Sequence, residues 1–242
     1  MLGVFSVVYW IFFAAMLPVF WVVAAVLWLV TRPFDRRRVV LHLYSCFWAS
    51  FYIWVNPLWS VRFSGRDHLP WRGPAVIVAN HLSLLDVLVL DGLFRPFKWV
   101  SKAEVFRLPF LGWNMAMNDY VAVQRGDRES VRRMMDHCRA HLARGAPVLI
   151  FPEGTRSRDG RLQPFKDGAF RLAAEAGVPV IPVVLEGTGE ALPKAGLVLR
   201  SPMRARVTVL APIPASQDAD ALRDAARAAI LAAAPEHARP VA

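Results

Sequence analysis

The sequence predicts an α/β domain preceded by a hydrophobic helical hairpin. Residues 1–59 are mostly apolar, whereas the rest of the 242-residue chain alternates short apolar runs with amphipathic stretches. Apolar runs of about four to eight residues between turn residues are typical of buried strands, and their alternation with helices is typical of α/β folds. We expect residues 1–60 to form a membrane-associated hairpin and residues 61–242 to form one domain with its own core.

The first half of the hairpin is long enough to cross a membrane. No charged residue lies between Met1 and Thr31, and about 20 apolar residues span a bilayer as a helix. Pro18 lies in the middle of this stretch and predicts a kink. A signal peptide fits poorly, because no basic segment precedes the stretch and because the stretch is too long.

The second half of the hairpin, residues 39–59, follows a basic turn at residues 31–38 that contains four arginines. By the positive-inside rule this turn is cytoplasmic. Two full spans would then place the basic remainder of the chain outside. We therefore expect the hairpin to dip into one leaflet, with the domain on the cytoplasmic face of the inner membrane; two full spans are the alternative. Its tryptophans and Tyr52 favour the membrane interface, although ordinary helix packing explains them equally well.

Charge and cysteine content narrow the class of protein. The 29 lysines and arginines exceed the 19 acidic residues, for a formal charge of +10. Such a balance fits a nucleic acid, an anionic membrane or an acidic substrate. Nucleic acid is the weakest of these, because no clustered basic helix or aromatic RNA-binding motif is present. Cys46 and Cys138 lie in segments of unlike character, so no disulfide is expected.

After Pro70 the pattern predicts strands and helices in alternation. Apolar runs predict strands at 75–79, 98–100, 120–123, 147–151, 178–185 and 207–210. Amphipathic or alanine-rich stretches predict helices at 83–94, 127–144, 166–176 and 219–234. Gly145 and Gly177 each mark a helix end. The strand at 178–185 contains two prolines, which cannot donate to a ladder, so we expect an edge or bulged strand there.

The heptapeptide Asn80-His81-Leu82-Ser83-Leu84-Leu85-Asp86 places a histidine and an acid between two apolar runs. A capping box explains Ser83 and Asp86 without any chemistry. It does not explain His81, which can fold back so that Asp86 holds one ring nitrogen and the other is free to take a proton. This is the orienting half of a catalytic triad without its serine. Since the chain has no G-x-S-x-G elbow, the nucleophile would have to come from a substrate.

Three further stretches could share a site with His81. In Phe151-Pro152-Glu153-Gly154-Thr155-Arg156-Ser157, the glycine permits a tight turn, and Arg156 with free backbone N–H groups could face an anion. A surface turn with a salt bridge is the alternative. Lys102 and Arg125 are strand-edge cations, each of which alone fits a solvated charge. Residues 178–183, VPVIPV, could form an apolar wall for a lipid chain, or plain core.

These four stretches, in this order, resemble the glycerolipid acyltransferase family, and within it bacterial 1-acyl-sn-glycerol-3-phosphate acyltransferases. The family pattern is N-H-x-S-x-x-D, a lysine segment and an arginine, F-P-E-G-T-R-S, and V-P-V-I-P-V. The match covers roughly residues 65–212. Four motifs in order are far more specific than one, and the resemblance implies that family's fold, a mixed sheet flanked by helices.

The resemblance also implies a reaction. A fatty acyl group would pass from acyl-CoA or acyl-acyl carrier protein (acyl-ACP) to the free hydroxyl of lysophosphatidic acid, giving phosphatidic acid. His81 would be the general base and Asp86 would orient it. Glu153 would hold the glycerol hydroxyls or brace the arginine loop. The substrate-binding residues implied by the resemblance are Lys102, Arg125, Glu153, Gly154, Thr155 and Arg156.

The expected partners are lysophosphatidic acid, the acyl thioester and the membrane, without nucleic acid. No cofactor or metal is expected, since His81 has no His or Cys at ligand spacing. Another lysolipid acceptor, such as a lyso-ornithine lipid or a lysophospholipid, is the nearest alternative. A non-catalytic lipid-binding membrane protein is more remote, because binding alone does not require the His81–Asp86 pair. A nucleotide-binding enzyme would need a glycine-rich phosphate motif that the chain lacks.

Overall fold

The computed structural model describes residues 2–194, 196–200 and 202–234. Seven strands form one sheet in the order β1-β7-β6-β2-β5-β3-β4. The strands are β1 Trp59–Ser64, β2 Val76–Ala79, β3 Lys98–Lys102, β4 Val121–Val123, β5 Val148–Ile150, β6 Val180–Glu186 and β7 Met203–Val209. The helices are α1 Leu2–Thr31, α2 Val39–Trp54, α3 Leu85–Asp91, α4 Leu111–Met117, α5 Arg128–Ala143, α6 Gly168–Ala176, α7 Thr188–Ala191 and α8 Ala219–Ala233. Short 3-10 helices lie at Arg66–His68 and Ala103–Arg107.

The sheet is mixed and flanked by helices, as expected. Strands β6, β2, β5, β3 and β4 run parallel, β7 runs antiparallel to β6, and β1 runs parallel to β7. All six predicted strands are present. The prediction missed β1, which begins at Trp59 inside the predicted hairpin segment. Its pairing residues on β7 lie far along the chain, Trp59 with Met203 for example, so no local pattern marks it.

The core lies on both faces of the sheet. On β2, Ile77 and Ala79 belong to one buried cluster, which also contains Leu85 and Val89 of α3. The intervening Val76 and Val78 belong to a second cluster, with buried residues of α5, α6 and α8. Successive side chains of a strand point to opposite faces. A strand that is apolar at every position is therefore covered on both sides, which is typical of parallel sheets.

Strand β6 is not an edge strand, so that alternative is wrong. It lies between β7 and β2. Pro182 is tolerated because the neighbouring ladder is interrupted beside it. The Pro182 carbonyl accepts from Leu210 N (2.9 Å), and the next contact is the bridge between Val180 and Ile213. A strand residue directs its N–H and C=O to the same side, so the missing N–H faces this interruption.

Helix α1 is the one helix in the described residues that is long and apolar enough to cross a membrane. Within the segment Gly3–Thr31, the most apolar 18-residue window has a mean hydropathy of 2.4, and 11% of that window is buried. Pro18 lies inside the helix without ending it. Helix α1 is also tied to the domain, because Tyr9 belongs to the same buried cluster as Ile77. By length and composition, helix α1 is a candidate membrane span.

Helix α2 is packed against the domain. It has 16 residues, of which nine are buried, and it contacts α3. At about 1.5 Å per residue it is shorter than the hydrocarbon core of roughly 30 Å, which disfavours a second full span. Trp48 stacks on Phe20, and the Tyr52 hydroxyl donates to the Phe13 carbonyl at 3.1 Å. Ordinary helix packing therefore accounts for these two aromatic residues.

The two cysteines are both free and buried, in agreement with the expectation that no disulfide forms. Cys46 lies on α2 and Cys138 lies on α5. Cys138 belongs to the buried cluster that contains Val76, and Cys46 lies beside His42, one turn earlier in α2. They therefore act as small apolar core residues.

A substitution at Gly187, between β6 and α7, tests how closely the chain before α7 approaches β7. Its φ is +78°, and a Cβ there would lie 2.3 Å from the Arg204 carbonyl oxygen of β7. Gly177, after α6, has a similar φ of +62° with no atom within 4 Å of such a Cβ. We expect Gly177→Ala to cost about 1–2 kcal/mol from left-handed strain. Gly187→Ala should cost clearly more, because the strand must also move.

Thermal unfolding in detergent measures the difference. For a chain of this size, about 1 kcal/mol corresponds to a change in Tm of roughly 2–4 °C. Equal losses of Tm in the two variants would contradict a tight approach of the chain before α7 to β7.

Candidate active site

Three of the four motif stretches meet at the carboxyl end of the sheet, whereas the fourth, residues 178–183, enters β6 and runs beside β2 as buried core. Strands β2, β5, β3 and β4 are parallel neighbours, so their carboxyl ends share an edge. His81 follows β2, the loop 151–157 follows β5, Lys102 ends β3 and Arg125 follows β4. Ligands of open α/β sheets bind beyond the carboxyl ends of strands, which is where all the predicted site residues lie.

Strand β3 changes its pairing partner along its length. The first two residues of β3, Lys98 and Trp99, pair with β5. From Val100 onward β3 pairs instead with β4. The part of β3 that leads to Lys102 is therefore not paired with β5.

His81 and Asp86 form a hydrogen-bonded pair. His81 Nδ1 lies 2.8 Å from Asp86 Oδ2, and Asp86 is fully buried. A carboxylate only accepts, so Nδ1 carries the proton and Nε2 is left as an acceptor. Among the described residues, no group bonds to Nε2, and the His81 side chain is 13% exposed. The imidazole is thus oriented by a buried acid and can take a proton from a ligand.

The chain around Asp86 differs locally from the predicted capping box. Helix α3 begins at Leu85 and ends at Asp91, rather than covering residues 83–94. Asp86 Oδ2 also accepts from the backbone N–H groups of Leu82 (2.6 Å) and Ser83 (2.9 Å). The Ser83 hydroxyl accepts from the Leu85 backbone N–H at 3.2 Å and donates to the Leu192 carbonyl at 2.7 Å. Both residues therefore cap backbone N–H groups of this turn, and the turn 82–86 wraps around the carboxylate.

The remaining oxygen of Asp86 is held from far along the chain. The Thr188 hydroxyl at the start of α7 donates to Asp86 Oδ1 at 2.5 Å, and Thr188 is fully buried. Thr188 was not identified from the sequence, because 102 residues separate it from Asp86 and a single buried threonine has no distinctive pattern. With this bond both carboxylate oxygens are fixed, and so is the direction in which Oδ2 faces His81.

Phe151 lies flat against His81. The two rings are parallel, with centroids 4.0 Å apart and 12° between their planes. Phe151 follows β5, the strand next to β2, and its ring also contacts Trp99. The stack restricts the imidazole ring, and an aromatic face attracts a neighbouring cation. Phe151 begins the motif at residues 151–157, but the sequence did not predict it as a site residue.

Glu153 connects the two central loops. Its Oε1 accepts from the backbone N–H of His81 (2.7 Å), and its Oε2 accepts from the backbone N–H of Gln163 (2.9 Å). Burial raises the pKa of Glu153 to about 7, while these two N–H donors act in the opposite direction. Since each oxygen already accepts a backbone bond, the geometry favours the bracing role over the glycerol-binding role.

Asn80 extends β2 by means of its side chain. The amide donates to the Leu185 carbonyl at 2.9 Å and accepts from Leu185 N at 2.7 Å. This pair of bonds imitates a strand residue facing β6. A backbone bond from Ser157 N to the His81 carbonyl (2.8 Å) holds the other side of the same turn. His81 is therefore held between β6 and the loop after β5.

The predicted anion-binding residues differ in their exposure and in whether an acidic side chain pairs with them. Arg156 is half-buried, and in the described part of the chain no carboxylate lies within 4.0 Å of it. Arg125 is exposed. Lys102 forms a salt bridge with Glu104 at 3.0 Å, with both side chains about half exposed (49% and 50%). Arg156 is thus the best placed of these cations, because it lies on the loop that bonds to His81.

Gly154 and Thr155 shape the arginine loop. Gly154 has φ +69°, so the left-handed turn favours glycine, while the nearest atoms belong to the flexible end of Lys166. Thr155 is exposed, and its hydroxyl accepts from Lys194 Nζ at 3.0 Å. The loop thus presents a hydroxyl and an arginine in succession beside the imidazole.

Two clusters of potential metal ligands exist in the described residues, and neither contains His81. In the first, His42 bonds through one ring nitrogen to the Tyr120 hydroxyl (2.6 Å) and through the other to the Arg95 carbonyl (2.9 Å). The second joins Asp119 to two histidines of α5. The chemistry available around His81 is therefore that of an imidazole, carboxylates and cations.

Comparisons with known proteins agree with this geometry. The sequence profile of the Acyltransferase family matches residues 60–186, which include His81, the arginine loop and β6. A 1-acyl-sn-glycerol-3-phosphate acyltransferase of Chlamydomonas reinhardtii is 41% identical over 92% of this chain and 67% of its own length. Enzymes of that name from Brassica napus and Pseudomonas aeruginosa are 40% and 35% identical over 85% and 62% of this chain.

The chain spans 67%, 61% and 59% of the length of these three relatives. The crystal structure of the 1-acyl-sn-glycerophosphate (LPA) acyltransferase PlsC from Thermotoga maritima is similar in fold. Its TM-score is 0.75 over 95% of both chains, at 22% sequence identity. By the extent of the family match and the identity to its curated members, this chain belongs to the acyltransferase family.

Proposed function

We propose that this acyltransferase moves a fatty acyl group from an acyl thioester to the free hydroxyl of 1-acyl-sn-glycerol-3-phosphate. The product is phosphatidic acid, a step of phospholipid biosynthesis. The observation that carries the proposal is the buried Asp86 orienting His81 beside the unpaired Arg156. The names of the relatives support lysophosphatidic acid as the acceptor.

The His81 imidazole acts as the general base. Its Nε2 removes the proton of the acceptor hydroxyl while that oxygen attacks the thioester carbonyl. The new C–O bond forms, the C–S bond breaks, and the leaving thiolate takes the proton back from the imidazolium. A thioester is already activated, so no covalent enzyme intermediate is needed. General-base assistance is worth about 10²–10⁴-fold in rate.

Asp86 holds His81 in the tautomer that this step requires. With Nδ1–H bonded to Asp86 Oδ2, the lone pair of Nε2 faces the ligand side. The carboxylate also stabilises the imidazolium that forms, as in a serine-protease triad. The parallel face of Phe151 lies 4.0 Å away and favours the same cation.

The acceptor phosphate binds at the arginine loop. Arginine donates two parallel hydrogen bonds to a phosphate, and Arg156 is half-buried without a carboxylate partner in the described ranges. Arg125 and Lys102, on the neighbouring strands, add positive charge along the same edge. Another lysolipid with a phosphodiester would meet the same cations, so a different lysophospholipid acceptor is the second candidate.

The acyl donor is acyl-CoA or acyl-ACP, and no further cofactor takes part. An acidic carrier protein suits a chain with a formal charge of +10. Helix α1 would anchor the enzyme to the inner membrane, with the basic turn after it and the domain on the cytoplasmic face. Acceptor and product are both bilayer lipids, so an anchored site meets them at headgroup depth.

The experiment that tests the proposal is transfer of a labelled acyl group from acyl-CoA to lysophosphatidic acid. We expect His81→Ala to lower kcat by at least about 100-fold, because the general base is removed. The variant should remain folded with a lower Tm, because buried Asp86 loses a hydrogen-bond partner. His137→Ala, at a partly exposed histidine of α5 that also bonds to an aspartate, is the control and should retain full activity. A His81→Ala enzyme with more than a few per cent of the wild-type rate would rule out this base.

Removal of the arginine tests the phosphate role. We expect Arg156→Gln to raise the KM for lysophosphatidic acid about tenfold or more, because a charge-assisted bidentate contact is lost. Transfer to a monoacylglycerol, which has no phosphate, should change little. Arg132→Gln on α5, whose side chain is 71% exposed, removes the same charge far from the site. An equal loss on both acceptors would contradict phosphate binding by Arg156.

Substitutions at Thr188 test whether its hydroxyl positions the His81–Asp86 pair without binding substrate. Thr188→Val keeps the shape but removes the hydroxyl bonded to Asp86, so we expect kcat to fall by about 10-fold or more with KM unchanged, since misorientation of a triad acid is costly. Thr188→Ser restores the hydroxyl and should recover most of the rate. Initial rates over a range of acceptor concentrations measure both parameters. If Thr188→Val were as fast as Thr188→Ser, the hydrogen bond to Asp86 would be dispensable.

A further inference from the structure

Lys194 reaches across the site from the segment that follows α7. This segment packs against the His81 turn, because Ser83 Oγ donates to the Leu192 carbonyl at 2.7 Å. From there the Lys194 ammonium contacts Thr155 Oγ1 at 3.0 Å and the Arg156 carbonyl at 2.7 Å. It therefore joins two walls of the site, the α7 segment and the arginine loop. None of the four motif stretches contains this lysine.

The Lys194 ammonium has neutral partners only. In the residues that the structure describes, no carboxylate lies within 4.0 Å of it, although the side chain is half-buried. A cation that is partly removed from water without a counter-ion is unfavourable unless an anion joins it. Two of the three N–H donors bond to Thr155 and Arg156, so one donor remains for a ligand.

The Thr155 hydroxyl can donate a hydrogen bond to the same anion. Its hydroxyl oxygen accepts from Lys194, so its own hydrogen is free to donate outward. Thr155 and Arg156 are neighbours on one short loop, and the Lys194 ammonium lies against the backbone and hydroxyl of that loop. A phosphate monoester carries about −1.5 to −2 charge at pH 7, which a single arginine does not neutralise.

We propose that Lys194 is a second phosphate-binding cation, which closes over the arginine loop and holds a phosphate monoester together with Arg156 and Thr155. This inference rests on the proposed function in that the phosphate belongs to a substrate. The monoester could be the acceptor's phosphate or the 3′-phosphate of the CoA donor, and a binding experiment distinguishes the two sources.

The experiment is equilibrium binding to the full-length protein in detergent, with each substrate alone so that no transfer is needed. The acceptor arm compares lysophosphatidic acid with monoacylglycerol. The donor arm compares acyl-CoA with acyl-pantetheine, which lacks the nucleotide phosphates. The variants are Lys194→Gln, which removes the charge, and Lys194→Arg, which keeps it. Arg132→Gln controls for net charge.

We expect Lys194→Gln to weaken binding of lysophosphatidic acid, or of acyl-CoA, about tenfold, with Lys194→Arg close to wild type. The partner compound without phosphate should bind both variants equally, and whichever arm responds identifies the source of the phosphate. Unchanged binding in both arms would overturn the proposal. So would an equal loss for the phosphate-free compounds, which would mean that Lys194 only braces the loop. Because transfer is not measured, an inactive wild type would refute the proposed reaction without deciding this result.

Discussion

The buried carboxylate of Asp86 is the interaction on which the site depends. A charge without access to water is tolerated only when its hydrogen bonds are satisfied. Asp86 meets this demand with His81 and two backbone N–H groups on one oxygen and Thr188 on the other. The same bonds close the turn after β2, attach α7 to α3 and orient the imidazole. Folding of this region and orientation of the imidazole are therefore one event.

The loop after β5 is built around a second buried acid with a different task. Each carboxylate oxygen of Glu153 accepts from a backbone N–H, Oε1 from His81 and Oε2 from Gln163. By fixing the loop against His81, Glu153 helps to determine where Thr155 and Arg156 lie relative to the imidazole. The motif residues thus divide into those that hold the site together and those that face the ligand. Residue type alone does not separate the two groups.

The helical hairpin packs against the domain next to the site. Helix α2 packs directly on α3, the helix that carries Asp86, while α1 remains largely exposed. The arrangement couples a helix suited to lipid with the catalytic turn through one intervening helix. In the proposed reaction both the acceptor and the product are membrane lipids, and these helix contacts would hold His81 close to a helix suited to lipid.

The sequence by itself determined the features that depend on near neighbours. These are the α/β alternation, the His81–Asp86 pair five positions apart, the glycine turn before Arg156 and the exposed apolar α1. Helix α5 was also predicted closely, because Asp127 caps it locally.

Tertiary structure alone decided the rest. It put β6 inside the sheet despite its prolines, since the neighbouring ladder is interrupted beside Pro182. It added β1, which pairs only with the distant β7. It placed the Glu153 carboxylate between the backbone N–H groups of His81 and Gln163. It also brought Thr188 to Asp86 and Lys194 to Arg156 across 102 and 38 residues. Contacts at such separations depend on how the strands order themselves, and a single sequence carries no local periodicity that records that order.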